Sequence, residues 1–236
     1  MKTEFTKETF DHVFPEGIGN HFWHSARNRI VFHTLKQFNL HNTHILDVGC
    51  GKGVVLKYLL SKKVKVSGVE LAPITPYAGL ESYISTGIKA EKLNKKKIFE
   101  TILLLDVIEH IENPCEFITN LSHHFSNVNQ FVITVPARKE LWSTHDEFLN
   151  HFRRYDLKTV DHHGLECSLK VKFKRYFFHS LYIPILLNKK RQSDAQEPRG
   201  ILKIFHGMLS LCCFLEFLLT PKFIFGSSII FILEKK

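Results

Sequence analysis

The stretch ILDVGCGKG (residues 45–53) ends an apolar run in an acid, Asp47, and then sets Gly49, Gly51 and Gly53 in quick succession. Where a buried strand turns into a helix, glycine accepts positive φ and has no Cβ, so a ligand can rest against bare backbone. Nucleotide-type ligands use such turns, and three kinds compete. A phosphate loop requires Ser or Thr after its Lys, but Lys52 is followed by Gly53. A dinucleotide turn requires its third glycine three positions after the second, and Gly53 comes two after Gly51. Asp47 would repel a pyrophosphate, yet it suits a ligand whose amino-acid end carries an ammonium and whose sulfur is cationic, S-adenosylmethionine (SAM). Glu70, in GVEL at the end of the next apolar run, offers two coplanar acceptor oxygens, which is what the two hydroxyls of a ribose require.

A sulfonium methyl is already activated. The remaining tasks are to align nucleophile, carbon and sulfur, to exclude water and to remove a proton. No metal site is expected for that chemistry. Candidate bases are His110, closing DVIEH, and His145 with Asp146 in WSTHD; imidazole is suited to taking a proton near neutral pH. For His110 the competing role is capping or packing under the cofactor. In HFRRY, Arg153 and Arg154 stand beside Tyr155, and guanidinium forks bind phosphate or carboxylate bidentately, so an anionic substrate group is one reading. In the other, one Arg pairs with an internal acid such as Asp146 or Asp156 and fixes the loop. Trp23 and Arg27, with Arg29, pose the same choice between pocket lid and plain packing.

These groups need a scaffold, and the apolar pattern supplies one. Strands are expected at residues 44–48, 64–69, 82–86, 99–105, 130–135, 169–177 and 227–233, with helices after the first two and the fourth. Such βα alternation calls for a parallel sheet. An amphipathic helix precedes it over 21–38, with Phe22, Ala26, Ile30, Val31, Leu35 and Phe38 at helical spacing, and further helices are expected at 157–164 and 201–219. The polar, aromatic and His-rich stretch leaving the fifth strand, PARKELWSTHDEFLNHFRRYD, is too long for a simple connection and reads as functional.

Taken together, ILDVGCGKG, GVEL and LLDVIEHIENP resemble the motifs of class I SAM-dependent methyltransferases. HFWHSARNRI, VPARKELWSTHDEFLNHFRRYD and GSSIIFILEKK resemble the flanking motifs of one branch, whose members read HWWFxxRR, VPAxxxLWSxHDxxxGHxRRY and PxGxSLLxxxRK. The resemblance implies a Rossmann-like α/β fold: a seven-stranded, mostly parallel sheet with a reversed last strand, and SAM at the carboxyl ends of strands one, two and four. It implies that Gly49, Gly51 and Gly53 line the methionine part and that Asp47 holds its ammonium directly or through water. Glu70 would take the ribose, Leu71 would pack on adenine, and Asp106 with Val107 would edge the methyl-donor pocket; the product would be S-adenosylhomocysteine. It also favours the lid reading for Trp23 and Arg27. The chain departs from the pattern at GIKAE, where Lys89 stands in place of an Asp, so adenine recognition falls to the backbone around Ala90 or to Glu91.

At 236 residues with 44% hydrophobic residues, the chain is long enough for one sizeable α/β core. The organisation expected is an N-terminal helical cap (1–40), a SAM-binding core (41–177), a helical apolar insertion (178–226) and the last strand (227–236). The net charge of +9 favours anionic partners, although the positive residues are not interleaved with a nucleic-acid reading motif, so nucleic acid is not expected. Five cysteines without a C-x-x-C pair support neither a zinc site nor a disulfide framework and fit a reducing, cytoplasmic compartment. The charged N-terminus, MKTEFTKETFDH, does not read as a signal peptide. In the insertion, helix 201–219 is apolar except for a stripe at Lys203, His206, Ser210 and Glu216, with Lys189, Lys190, Arg191 and Arg199 nearby. Its charges argue against a clean bilayer span and leave two readings, an interfacial helix at the inner face of a membrane or a cover for the substrate pocket or a homodimer partner. The function expected is methyl transfer to an oxygen, rather than nitrogen or carbon, of a small or amphipathic acceptor such as a glycan or lipid intermediate. The alternatives are a quinone-type O-methyltransferase and a non-catalytic SAM-binding regulator.

Overall fold

The computed structural model describes Phe10 and residues 14–94, 97–190 and 197–236. Most of the expected cap before residue 14, and Arg191 of the basic cluster, lie outside these. The elements in chain order are α1 (Phe22–Gln37), β1 (Ile45–Val48), α2 (Val54–Ser61), β2 (Val66–Glu70), β3 (Ile84–Thr86), β4 (Thr101–Leu105), α3 (Pro114–His124), β5 (Gln130–Pro136), α4 (Thr144–Phe148), α5 (Leu157–Glu166), β6 (Lys170–Phe177), α6 (Tyr182–Leu187), α7 (Ile201–Leu219) and β7 (Ser228–Glu234). The seven strands are ordered β3-β2-β1-β4-β5-β7-β6, the Rossmann-like arrangement expected.

Packing divides the chain into two compact units, one holding the described residues up to 102 with 197–214, the other 103–190 with 215–236. In the first, β1 pairs with β2 and β2 with β3, all parallel, which sets Asp47 opposite Gly68 and Glu70 opposite Thr86. α1 buries a broad face that includes His24, Arg27, Asn28, Val31, Thr34 and Leu35, spaced three or four apart as a helix packing on a core requires. α2 starts directly after Gly53 and buries Val54, Val55, Leu56 and Leu59. The helix expected after β2 is absent. Residues 71–83 run as turns and irregular chain, because Pro73, Pro76 and Gly79 deny a helix its interior hydrogen bonds and stiffness.

In the second unit β7 runs antiparallel to both β5 and β6, the reversed last strand, and β6 carries a bulge between Val171 and Phe173. β5 and β7 are buried over nearly their whole length, which accounts for their unbroken apolar sequences. α3 opens on Pro114, whose missing N–H costs nothing at a first turn, and Asp156 caps α5 by accepting from the Thr159 N–H at 2.7 Å.

α7 buries Ser210, Cys213 and Phe217, spaced as one narrow stripe, and leaves Ile204, Phe205, Met208, Leu211, Leu215 and Leu219 exposed. Three of its polar residues are turned to internal use, while Lys203 is exposed. His206 Nδ1 accepts from the Phe22 N–H (3.1 Å) and Ser210 Oγ donates to Ser25 Oγ (3.0 Å). Glu216 accepts the backbone N–H groups of His179 (2.7 Å) and Ser180 (2.8 Å). By length and composition the helix could cross a membrane, and only 17% of it is buried.

Candidate active site

In the first unit, Gly49, Gly51 and Gly53 all adopt positive φ (76°, 54° and 93°), the left-handed conformation for which the turn needs glycine. A Cβ at Gly53 would also meet Leu80 Cδ1 at 2.6 Å and Ile84 Cδ1 at 2.7 Å. Glu70 is tied to the turn: its Oε2 accepts from the Gly51 N–H at 2.9 Å and its Oε1 from the Ala72 N–H at 3.0 Å. Burial raises the Glu70 carboxyl, and those backbone donors offset part of the rise.

Asp47 is 1% exposed and its Oδ1 has no hydrogen-bond partner. Burial pushes its carboxyl up to about 7; the Arg27 guanidinium nearby works against that rise and Glu70 adds to it. Arg27, expected at the substrate side, is buried, stacked 4.7 Å from the centroid of the Trp23 ring, and acts electrostatically on Asp47. Trp23 is half-buried against it. Leu71 follows Glu70 half-buried, and the buried Ala90 begins a short turn just after the exposed Lys89, with Glu91 partly exposed.

In the second unit, Asp106 has φ 57° and a Thr134 hydroxyl donating to its Oδ1 at 3.2 Å, with Val107 leading into a single turn that ends at His110. A left-handed Asp is strained backbone held at the end of β4. The polar stretch after β5 folds around Asp146, which is fully buried. It closes a capping box with Ser143, accepts from His151 Nδ1 at 2.9 Å, and takes a two-pronged hydrogen bond from Arg154 Nε (2.8 Å) and Nη2 (2.9 Å). Burial alone would raise the Asp146 carboxyl, but the His151 and Arg154 donors hold it well below the usual carboxylate range.

The chain matches the profile described as a methyltransferase domain over residues 22–166, more than half its length. The chain belongs to the SAM-dependent methyltransferase family. Among curated proteins, this methyltransferase is 29% identical over 132 residues to a ubiquinone biosynthesis O-methyltransferase of Rickettsia typhi, covering 46% of this chain and 53% of that one. It thus spans about half the length of that curated relative. Among solved structures it resembles the methyltransferase of a complex with the Haloferax volcanii Trm112 methyltransferase activator (TM-score 0.58, 12% identity, 98% of this chain and 97% of that one). It also resembles the Burkholderia thailandensis 1,6-didemethyltoxoflavin-N1-methyltransferase (TM-score 0.56, 10% identity, 98% and 84%). At such identities these two structures speak to the fold.

The first unit of the methyltransferase fits the cofactor of its family. A buried carboxylate oxygen lacking a partner calls for a cationic group such as an ammonium. Beside it lies a turn of bare glycine backbone, with the Glu70 carboxylate fixed at its edge by backbone N–H groups.

Several candidate roles in the second unit change. Arg154 is buried, paired with Asp146, and donates through Nη1 to the Ala137 carbonyl at 3.1 Å, so it fixes the loop and does not meet a substrate. Tyr155 is fully buried with its hydroxyl toward the Ile108 carbonyl, again a packing role. Arg153 stays partly exposed while donating to the Glu112 carbonyl at 2.7 Å. His145 is exposed on α4, but Asp146 orients His151 instead of His145. His110 packs edge-on to His151 (ring centroids 4.6 Å apart), and burial, then His151, push its imidazole down to about 4. That makes it a poor proton acceptor near neutral pH. Sequence reasoning missed Glu109 and His151; the signal available was their place inside DVIEH and NHFRRY, segments whose neighbours were singled out.

Proposed function

We propose that the chain moves the SAM methyl group to a hydroxyl oxygen of a small lipophilic acceptor of the quinol type, at the inner face of a membrane. The observation that carries the cofactor half is the buried Asp47 carboxylate with its partnerless oxygen beside the glycine turn. In this reading Asp47 holds the ammonium, Glu70 the ribose hydroxyls, Gly49, Gly51 and Gly53 the methionine part, Leu71 and the backbone at Ala90 the adenine, and Asp106 with Val107 the edge of the methyl-donor site. The acceptor oxygen attacks the methyl carbon, the carbon–sulfur bond breaks, S-adenosylhomocysteine leaves and the hydroxyl proton is lost. His145, exposed on its short helix, is the candidate base.

Two observations support the acceptor class. The curated relative acts in ubiquinone biosynthesis, as its name states. α7 turns His206, Ser210 and Glu216 to internal bonds and an apolar face outward, with Arg199 just before it and Lys203 exposed on it, which suits the surface of an anionic bilayer where such an acceptor resides. A glycan acceptor draws no support from either.

Calorimetry with SAM and S-adenosylhomocysteine tests the first half, with binding of both expected; no heat with either ligand sinks it. Incubation with labelled SAM and a catechol-bearing quinol precursor tests the second. Label appearing as a methyl ether is the expected product; bound SAM with no transfer to any hydroxyl acceptor would point to a regulator instead.

A further inference from the structure

The turn after β4 and the polar stretch after α4 bring together three side chains that the reading above leaves unused. One ligating atom each from Glu109, His110 and His151 lies within 4.8 Å of the others. The Glu109 carboxylate is buried, at 1% exposure. Both imidazoles are oriented by a second group. His151 donates through Nδ1 to Asp146, itself fixed by Arg154, and His110 donates to the backbone carbonyl of Leu149. Each ring is therefore held in orientation by a carboxylate or a carbonyl, as metal-ligating histidines are.

We propose that Glu109, His110 and His151 bind a divalent transition-metal ion of the zinc type, leaving open positions that take an oxygen of the methyl acceptor. Two imidazoles and one carboxylate form a donor set suited to such ions and common to catalytic zinc sites, where a fourth position stays open. Ligands around an ion at about 2.0–2.2 Å lie roughly 3.4 Å apart, so the three atoms close by about an ångström on binding, within the reach of side-chain rotation. The site departs from the expectation that methyl transfer needs no metal. Its second half rests on the proposed reading of the protein as an O-methyltransferase. An ion there would take the acceptor oxygen and make its hydroxyl proton easier to lose to solvent or to His145. Asp146 and Arg154 are positioning residues for it, acting through His151.

The test is a titration of chelator-treated full-length protein with Co2+, followed by visible absorption, with Zn2+ as competitor. Ligand-field bands that saturate at one ion per chain and are displaced by Zn2+ are expected. They should vanish in Glu109→Gln and in a His110→Asn/His151→Asn double variant, and Asp146→Asn should weaken Co2+ about 10–100-fold. SAM affinity measured calorimetrically on each variant reports whether it has folded. Addition of the catechol acceptor should perturb the bands. Absence of stoichiometric bands in wild-type protein that binds SAM overturns the metal site and leaves the methyltransferase reading standing. Bands that survive in the folded double variant also overturn it, since the ion would then sit elsewhere. Bands indifferent to the acceptor overturn the oxygen-binding half.

Discussion

At the scale of single residues, Asp47 ties recognition to proton linkage. Its carboxyl, raised by burial to about 7, is largely protonated below that pH and must lose the proton to meet an ammonium. SAM affinity is therefore expected to rise with pH up to about 7, falling roughly tenfold per pH unit on the acid side, with proton release visible as buffer-dependent heats in calorimetry. Without ligand the sign reverses. A buried acid with a raised folded-state value favours folding while protonated, and that contribution is lost as pH climbs from about 4 through 7. Asp47→Asn should thus raise the melting temperature of the ligand-free protein at pH 8, by an amount equivalent to about 2 kcal/mol, while weakening SAM at least tenfold and flattening its pH dependence. Glu70→Ala takes away a ribose acceptor and also orphans the Gly51 N–H, so a loss of about 10–100-fold in SAM affinity is expected by the same calorimetry.

At the scale of elements, two short pieces of backbone set where the chemistry stands. The strand-to-helix turn favours glycine at Gly53, where φ is 93° and a Cβ would press on the side-chain ends of Leu80 and Ile84. Gly53→Ala is expected to cost about 1–2 kcal/mol in chemical denaturation, from the backbone conformation alone, with crowding adding to it. The loop around α4 holds through Asp146. Asp146→Asn leaves Arg154 buried without its countercharge, for an expected loss of about 3–5 kcal/mol measured as a fall in denaturation midpoint. Because the carboxyl is depressed in the folded state, its contribution is full above about pH 4 and is lost as pH falls further. The wild type and Asp146→Asn should therefore converge in stability under strongly acidic conditions.

At the scale of the whole molecule, the feature that separates this chain from a plain methyltransferase sheet is α7. An exposed row of Ile204, Phe205, Met208, Leu211 and Leu215 is an apolar patch of the kind that marks an interaction surface. If that surface is a bilayer, Phe205→Glu/Met208→Glu should abolish co-flotation with anionic vesicles at low salt and raise KM for a lipophilic acceptor. SAM affinity should be unchanged, because neither residue belongs to the cofactor cradle. Vesicle binding that persists in the variant would locate the membrane contact elsewhere or refer the patch to another partner.

Much of this was legible in the sequence. Unbroken apolar runs such as TILLL and SIIFIL announce strands covered on both faces, and all seven strands and the long helices stand within a residue or two of where periodicity sets them. Gly49, Gly51 and Gly53 were legible because only glycine serves a run of positive φ, and Asp47 because a carboxylate there selects the charge of its ligand. The missing helix after β2 shows the limit of expecting alternation from the fold when Pro73 and Pro76 sit in the way. What only the tertiary structure decided is which polar groups meet. Asp146 adjoins His145 in sequence but bonds His151 and Arg154 in space, Arg27 leaves the substrate side for Asp47, and Glu109 and His110 find His151 some forty residues away. Local periodicity is written by burial, which each residue feels by itself. Pairing depends on where the chain returns, and that is settled only when the core has packed.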